Sequence, residues 1–441
     1  AYRISEEAFF EPLRKTVDNL KIRLSYGSLG NQQIGYYDFI QTITTKGSMG
    51  DYSFDGTILG QHATVSDPVS GNQTWEKVIS KNLGADLNMF SNRLSLTADF
   101  YIRDTKGILG KGKSLPSIYG ANEPQVNSNN LRTKGYELVL GWRDSFKLAG
   151  STFSYGITGT FSDYTAEYTK CDNPSGLIGG PYVGKKYGEI WGYKVDGLFR
   201  NDEEAAEYAS RVDLSKVAAG YYSATGAYGK GVRGGDIKYL NLDGSGIVDG
   251  GKGTLEDPGD RRVIGNSSPR YQYGLTLNLS WYGFDLSVFM QGIGRLDWYP
   301  GADNLRFWGP YSRPYATFIP KNFMSQVWSE SNPDAYLPRA RAYTSLNSTQ
   351  GTAYYTNDRY LQNLAYCRLK NLTLGYTIPK RLTSKVGIKE CRVYFSGENL
   401  ATWSALKNDF LDPEQAAANS DKKSNVYPWC RTYSVGLNLT F

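Results

Sequence analysis

The chain has 441 residues, with 49 Lys plus Arg against 43 Asp plus Glu, a formal charge of +6, and one histidine, His62. A balanced charge with no basic tract argues against a nucleic-acid binder, and a single histidine excludes His-centred catalysis or a multi-His metal site within this chain. Tyrosine, at 35, far exceeds phenylalanine at 18, and glycine reaches 49, which suits either a loop-heavy β protein or a membrane barrel ringed by aromatics at its two water interfaces.

No apolar run approaches the roughly 18 residues of a spanning helix, whereas a barrel strand needs only about ten alternating residues. Cys171, Cys367, Cys391 and Cys430 have no metal-type spacing, and no pair is assigned. The chain opens at Ala1-Tyr2-Arg3-Ile4-Ser5 without an initiating Met and reads as a piece of a longer protein.

Residues 6–19 read as a short helical turn or an irregular connection. Leu20, Ile22, Leu24 and Tyr26 then alternate with Lys21, Arg23, Ser25 and Gly27 in a first strand. A polar stretch follows, longer than a compact domain ordinarily tolerates. Trp75 to Phe90 is the next strand. After a tight turn at Ser91-Asn92, Leu94 to Ile102 alternates with Arg93, Ser95, Thr97, Asp99, Tyr101 and Arg103. Ionisable residues on one face of a strand are costly over a dry core and comfortable over water. Tyr136 to Trp142 and Phe153 to Phe161 form the next pair.

A long insert comes next, with a short helix expected at Asp202 to Tyr208. Tyr271 to Trp281 is the cleanest alternation, and Phe284 to Met290 runs back from it. Leu372 to Ile378, the region of Val393 and Phe395, and the closing Arg431–Phe441 complete about ten strands, with Tyr2 to Ser5 as the tail of another. The connections alternate in length. Short ones follow Phe90, Arg143, Trp281 and Ile378, and long ones follow Tyr26, Arg103, Phe161, Met290 and Trp403. That rhythm is expected of an all-β transmembrane antiparallel barrel, with brief periplasmic turns and long extracellular loops. It places the carboxyl end of the final strand at the periplasmic rim of a Gram-negative outer membrane.

Several segments, in order, carry a resemblance. They are Leu24-Ser25-Tyr26-Gly27, Thr133-Lys134-Gly135-Tyr136-Glu137, Gly192-Tyr193-Lys194-Val195-Asp196-Gly197, Gly234-Gly235-Asp236-Ile237, Pro269-Arg270-Tyr271, and Arg368-Leu369-Lys370-Asn371-Leu372-Thr373-Leu374-Gly375-Tyr376. With these the chain resembles the C-terminal part of a SusC/RagA-type TonB-dependent outer-membrane transporter of the Bacteroidetes. The resemblance implies a barrel of about 22 strands around an N-terminal plug. It also implies a SusD-like surface lipoprotein as lid, energy drawn through TonB, and no enzyme activity. Residues 1–441 would then be the C-terminal portion of the barrel, contacting outer-membrane lipid. The plug, the first strands and the TonB-contacting segment would lie outside this chain. The ligand would be an oligosaccharide or peptides. A non-transporting barrel or adhesin, and a secreted β-rich glycan-binding protein or hydrolase, are the other readings.

Three sites are singled out. Asn241, Asp243, Ser245, Ile247 and Asp249 follow the oxygen-ligand spacing of a calcium loop, with Gly246 at the sharp turn, so Ca2+ or Mg2+ is the expected ion. Lys252 stands where a bidentate Glu is usual, although Glu256, Asp257 or Asp260 could fold back, and a Gly-rich turn closed by side-chain-to-backbone bonds is the alternative. Trp298, Tyr299, Arg306, Trp308, Tyr311, Arg313 and Tyr315, near Arg295, form an aromatic and basic cluster in one long loop, suited to ligand, lid or loop packing. Tyr433 and Phe441 are the expected assembly signal, or simply the last lipid-facing rings.

Overall fold

The computed structural model describes residues 1–31, 40–46, 53–54, 57–58, 62–71, 73–112, 116–222, 231–312, 315, 317, 319–341, 346, 351–407, 411–417 and 429–441. Eleven strands form one antiparallel sheet in chain order. They are β1 (Tyr2–Arg3), β2 (Val17–Asn31), β3 (Glu76–Met89), β4 (Leu94–Lys111), β5 (Gln125–Leu148), β6 (Ser151–Lys170), β7 (Arg270–Trp281), β8 (Phe284–Arg295), β9 (Tyr366–Thr377), β10 (Glu390–Ser404) and β11 (Thr432–Thr440). Each pairs with its sequence neighbours, so β1 and β11 are the two edges of an open wall. No helix among the described residues is long and apolar enough to cross a membrane.

Every expected strand is present, but most run further toward the long loops than their alternation suggests. β5 spans 24 residues and β6 spans 20. The reason is physical. Alternation records which face meets an apolar phase, while the backbone ladder continues wherever the neighbour continues. Above the apolar band both faces are polar, so the pattern stops and the pairing does not.

The short turns are tight. Phe90, Ser91 and Asn92 all take positive φ, as do Tyr282 and Gly283, the left-handed geometry that matches the strand twist. The expected irregular start is two 3-10 turns, Ile4–Glu6 and Ala8–Leu13.

The outer face is apolar and open. Leu24, Tyr26, Phe100, Val435 and Leu437 are exposed on it. Aromatics gather in two rows. Phe100, Tyr136, Phe161 and Tyr271 form successive ring contacts across β4 to β7, at 6.4, 6.0 and 6.4 Å. At the short-turn end, Phe146 meets Phe153 at 5.3 Å and Phe284 meets Tyr376 at 4.5 Å. Tyr136 and Phe146 lie on the same strand, about 33 Å apart along it at 3.3 Å per residue. Strand tilt reduces that to about 25 Å of height, the apolar band of an outer-membrane barrel.

The inner face is polar and cross-linked by ions. Arg23 on β2 reaches across β3 to Asp99 on β4, with Nη2 2.7 Å from Oδ2, while its Nε holds Asp86 at 3.0 Å. Arg392 on β10 reaches across β9 to Asp285 on β8, at 2.9 and 2.5 Å. In both cases a glycine underlies the pair. A Cβ at Gly84 would stand 2.6 Å from Asp99 Oδ1, and one at Gly375 would stand 2.5 Å from Asp285 Oδ1. The missing side chain is what lets two strands separated by a third share one ion pair. Gly375→Ala is therefore expected to cost about 1–2 kcal/mol, chiefly by displacing a partly exposed ion pair. Gly27→Ala, with nothing within 4 Å of the added methyl, is expected to cost less than about 0.5 kcal/mol. Thermal unfolding of the detergent-solubilised full-length protein compares the two, and equal shifts would remove this role for Gly375.

Candidate functional site

The long connections after β6 and β8 are folded rather than trailing. They build a canopy over one end of the wall from small two-stranded antiparallel sheets. Glu189–Tyr193 pairs with Arg261–Asn266, Val195–Leu198 with Ile237–Tyr239, and Asp297–Trp298 with Gln362–Asn363. The expected helix is α1, Asp202–Ala209, and Asn201 caps it by accepting from the Glu204 amide at 2.8 Å. The canopy has its own core. Phe199, Leu214, Ile237, Tyr239, Trp308 and Tyr360 are completely buried in it. Long polar text hid this core, because its apolar residues come from several distant stretches and show no period.

An ion pair sits inside that core. Asp236 is 1% exposed and accepts from Arg341 at 3.0 and 2.6 Å and from the Arg233 amide at 2.7 Å. The Arg341 guanidinium lies 4.2 Å from the Tyr221 ring centroid. Burial pushes the Asp236 carboxyl up, to about 6, with Arg341 opposing.

The aromatic and basic cluster does not form one surface. Trp308 and Tyr311 are core residues. The Trp308 indole donates to the Pro300 carbonyl at 3.2 Å, and Tyr311 donates to the Pro338 carbonyl at 2.6 Å. Tyr299 donates to the Tyr355 carbonyl at 3.0 Å, and Trp298 pairs with Gln362 in a two-stranded sheet. Arg295 pairs with Asp297 at 2.9 Å. Arg306 is exposed and Tyr315 is 82% exposed. Arg313 lies outside the described residues. The buried members serve loop packing, one of the roles the sequence allows. Among the described members, Arg306 and Tyr315 stand open to a partner or ligand, and Arg295 is exposed beside its Asp297 pair.

The loop at 241–249 is a run of side-chain-closed turns. Asn241 Oδ1 accepts from the Gly244 amide at 2.8 Å, Asp243 Oδ1 from Ser245 at 2.8 Å, and Asp249 Oδ1 from Gly251 at 2.7 Å. Ser245 Oγ donates to the Ile247 carbonyl at 2.9 Å. Asp260 folds back beneath the loop, fully buried, but toward amides. Its oxygens take the amides of Leu242 and Asp243 on one side and of Asp249, at 3.0 Å, on the other. Asp243 is held below the ordinary carboxylate range by the Ser245 amide and hydroxyl. Among the described residues no group of three or more His, Cys, Asp or Glu is placed to hold a metal. Any ion here would depend on the amide, hydroxyl and carbonyl oxygens beside Asp243 and Asp249.

Tyr433 and Phe441 are both exposed on the outer face, and Tyr433 stacks with Phe395 at 6.2 Å.

One cluster carries no role in the sequence reading. Arg368, 1% exposed on the inner face of β9, binds Glu414 at 2.6 Å, Asp412 at 2.5 Å and the Thr402 hydroxyl at 2.9 Å. Its two carboxylate partners come from residues 411–417, a segment of the last long loop laid against the wall. Arg368 stands in a recognisable run, but nothing in sequence ties it to a carboxylate 46 positions away.

No family model matches the chain. It is 26% identical over its whole length to TonB-dependent receptor P3 of Formosa agariphila, covering 41% of that protein. It is 27% identical to receptor P26 of the same organism, covering 42%. Against TonB-dependent receptor SusC of Bacteroides thetaiotaomicron the identity is 23%, covering 39%. The chain thus spans about two fifths of the length of the curated relatives it matches. Among solved structures, the RagAB peptide transporter matches with a TM-score of 0.68 at 20% identity, over 100% of this chain and 42% of that one. The RagAB peptide importer in its "open-open" state matches with a TM-score of 0.68 at 21% identity.

The fold is that of part of a transmembrane antiparallel β-barrel of the TonB-dependent receptor class. Within that class, the chain resembles the C-terminal portion of the SusC/RagA type.

Proposed function

We propose that this chain is the C-terminal portion of a TonB-dependent outer-membrane importer, completed by a plug and first strands that it does not contain. The observation that carries the reading is the match of the entire chain to TonB-dependent receptors. It is joined to a wall with an apolar outer face, an ion-paired inner face and a folded canopy at the long-loop end. In this reading the short turns and Phe441 lie on the periplasmic side. Energy reaches the barrel through TonB, and a SusD-like lipoprotein seats on the canopy, where Arg306 and Tyr315 are available to it. Homologues of the chain are receptors and transporters, which supports a role without catalysis. Tyr433 and Phe441 act in membrane assembly, so deleting Phe441 lowers barrel levels more than it lowers transport per assembled molecule.

The imported nutrient is an oligosaccharide. Peptide import is the second reading, favoured by the fold likeness to the RagAB peptide transporter. Deleting the full-length protein in its host and growing the strain on glycans or on peptides separates these. Loss of growth on a glycan supports the first, and loss on peptides alone supports the second. Normal growth on both points to a non-transporting barrel.

Calcium at Asn241, Asp243, Ser245, Ile247 and Asp249 is part of the proposal. If the loop binds calcium, millimolar calcium raises the melting temperature of the full-length protein, and Asp243→Asn with Asp249→Asn abolishes the rise. No calcium-dependent shift in the native protein would end that part.

A further inference from the structure

The segment 411–417 meets the wall through more than a surface ion pair. Glu414 receives donors from four side chains: Arg368 Nη1 at 2.6 Å, Lys370 Nζ at 2.8 Å, Gln291 Nε2 at 2.8 Å and the Tyr366 hydroxyl at 3.1 Å. Arg368 lies on one oxygen, Gln291 and Tyr366 on the other, and Lys370 Nζ stands 2.8 Å from both. This is the full coordination that a carboxylate seeks, two charge-assisted bonds and two neutral ones.

The backbone is deformed to make it. β9 bulges at Lys370, where Asn371 pairs with Phe289 and Glu398, Leu369 pairs with Met290 and Ala401, and Lys370 pairs with neither neighbour. On β10 the extra residues are Asn399 and Leu400, with Asn399 at φ +52. A bulge changes where a side chain aims. Here it brings Lys370 and Arg368, two residues apart on one strand, onto a single carboxylate. The set also explains part of the motif Arg368–Tyr376, in which the first charged residues bind and Gly375 carries the Asp285–Arg392 pair.

We propose that Gln291, Tyr366, Arg368 and Lys370 form a carboxylate-binding site on the inner wall, occupied in this structure by the chain's own Glu414, and that its external ligand is a carboxylate-bearing solute. Asp412 holds the same strap from the other arm of Arg368. Trp429 lies 5.0 Å from Lys370 Nζ and closes the flank. Burial disfavours the Glu414 carboxylate, and Lys370 with Arg368 outweighs it, holding the group below the ordinary glutamate range. The carboxylate site itself stands apart from the import reading. Only the arrival of the solute along the inner wall rests on it.

The test is chemical rescue in the detergent-solubilised full-length protein. Glu414→Ala removes the occupant and lowers the melting temperature. Sodium acetate at about 100 mM, tenfold above a Kd of roughly 10 mM, then shifts the folded-to-unfolded ratio about tenfold. Sodium chloride at equal ionic strength does not, and neither does acetate on Glu414→Ala combined with Arg368→Gln. Where Glu414→Ala fails to assemble, Glu414→Ser opens the same space and is read in the same way. An acetate response no larger than that to chloride, or one that survives loss of Arg368, overturns the proposal. Failure on these terms leaves the import reading intact, because the rescue needs no transport.

Discussion

Trp308→Ala is expected to destabilise the canopy by about 3–5 kcal/mol, the range for emptying a fully buried tryptophan site. Its ring centroid lies 4.8 Å from Phe307 and 5.0 Å from Tyr360, and its indole nitrogen is bonded to Pro300. These groups cannot all collapse into the space it leaves. Limited proteolysis of the assembled barrel reads the effect as accelerated cleavage in the canopy while the strands stay protected. Trp308→Phe keeps most of the packing and loses one hydrogen bond, so its loss is expected near 1–2 kcal/mol. If Trp308 instead served as an exposed ligand platform, Trp308→Ala would weaken binding and leave the proteolytic pattern unchanged.

The second large effect lies at Asp236 and Arg341, and its two halves are unequal. Asp236→Asn leaves a guanidinium that keeps its charge at any accessible pH facing an amide in a dry core, at a cost of about 3–5 kcal/mol. Arg341→Met is milder, because a carboxyl can take up a proton where a guanidinium cannot release one. The sign of its pH dependence follows. The Asp236 carboxyl is already raised to about 6 beside Arg341, and losing that cation raises it further. A folded-state value above the ordinary carboxylate value means the native protein binds the proton more tightly. Arg341→Met should therefore gain stability as pH falls through the folded-state value toward 4, and lose it again on return to neutrality. The double variant should recover much of the Asp236→Asn loss. Canopy proteolysis across pH measures all three, and equal losses in both single variants would contradict the asymmetry.

The wall was legible in the sequence and the canopy was not. Tyr271–Trp281 and Leu94–Ile102 announce their faces because one side must suit lipid and the other water, and that demand writes a period of two. The same reasoning stops near Phe161, where the chain leaves the apolar band, although β6 continues to Lys170. Tyr239, from the connection after β6, meets Trp308 and Tyr360, 52 residues apart in the connection after β8, in one core, and contacts of that kind leave no local signature. This also explains the aromatic cluster. Adjacency in sequence grouped these residues as one cluster suited to ligand, lid or loop packing, whereas burial divides it into Trp308 and Tyr311 inside and Tyr315 outside. Asp260 was legible as a residue able to fold back on the 241–249 loop. That it would spend both oxygens on backbone amides was not.

The bulge at Lys370 bears on how the wall reaches its final alignment. A ladder of regular strands can slide, and a slip of one residue turns every side chain to the opposite face. For β9 that slip would send Arg368 and Lys370 toward acyl chains, at a cost that rises from about 0–1 kcal/mol near the interface to about 2–4 kcal/mol at mid-bilayer. It would also move the single unpaired residue away from the facing irregularity at Asn399 and Leu400. Two matched defects on adjacent strands meet in only one alignment. The seam between β9 and β10 is thereby pinned to one alignment, the one in which Lys370 faces Asn399 and Leu400.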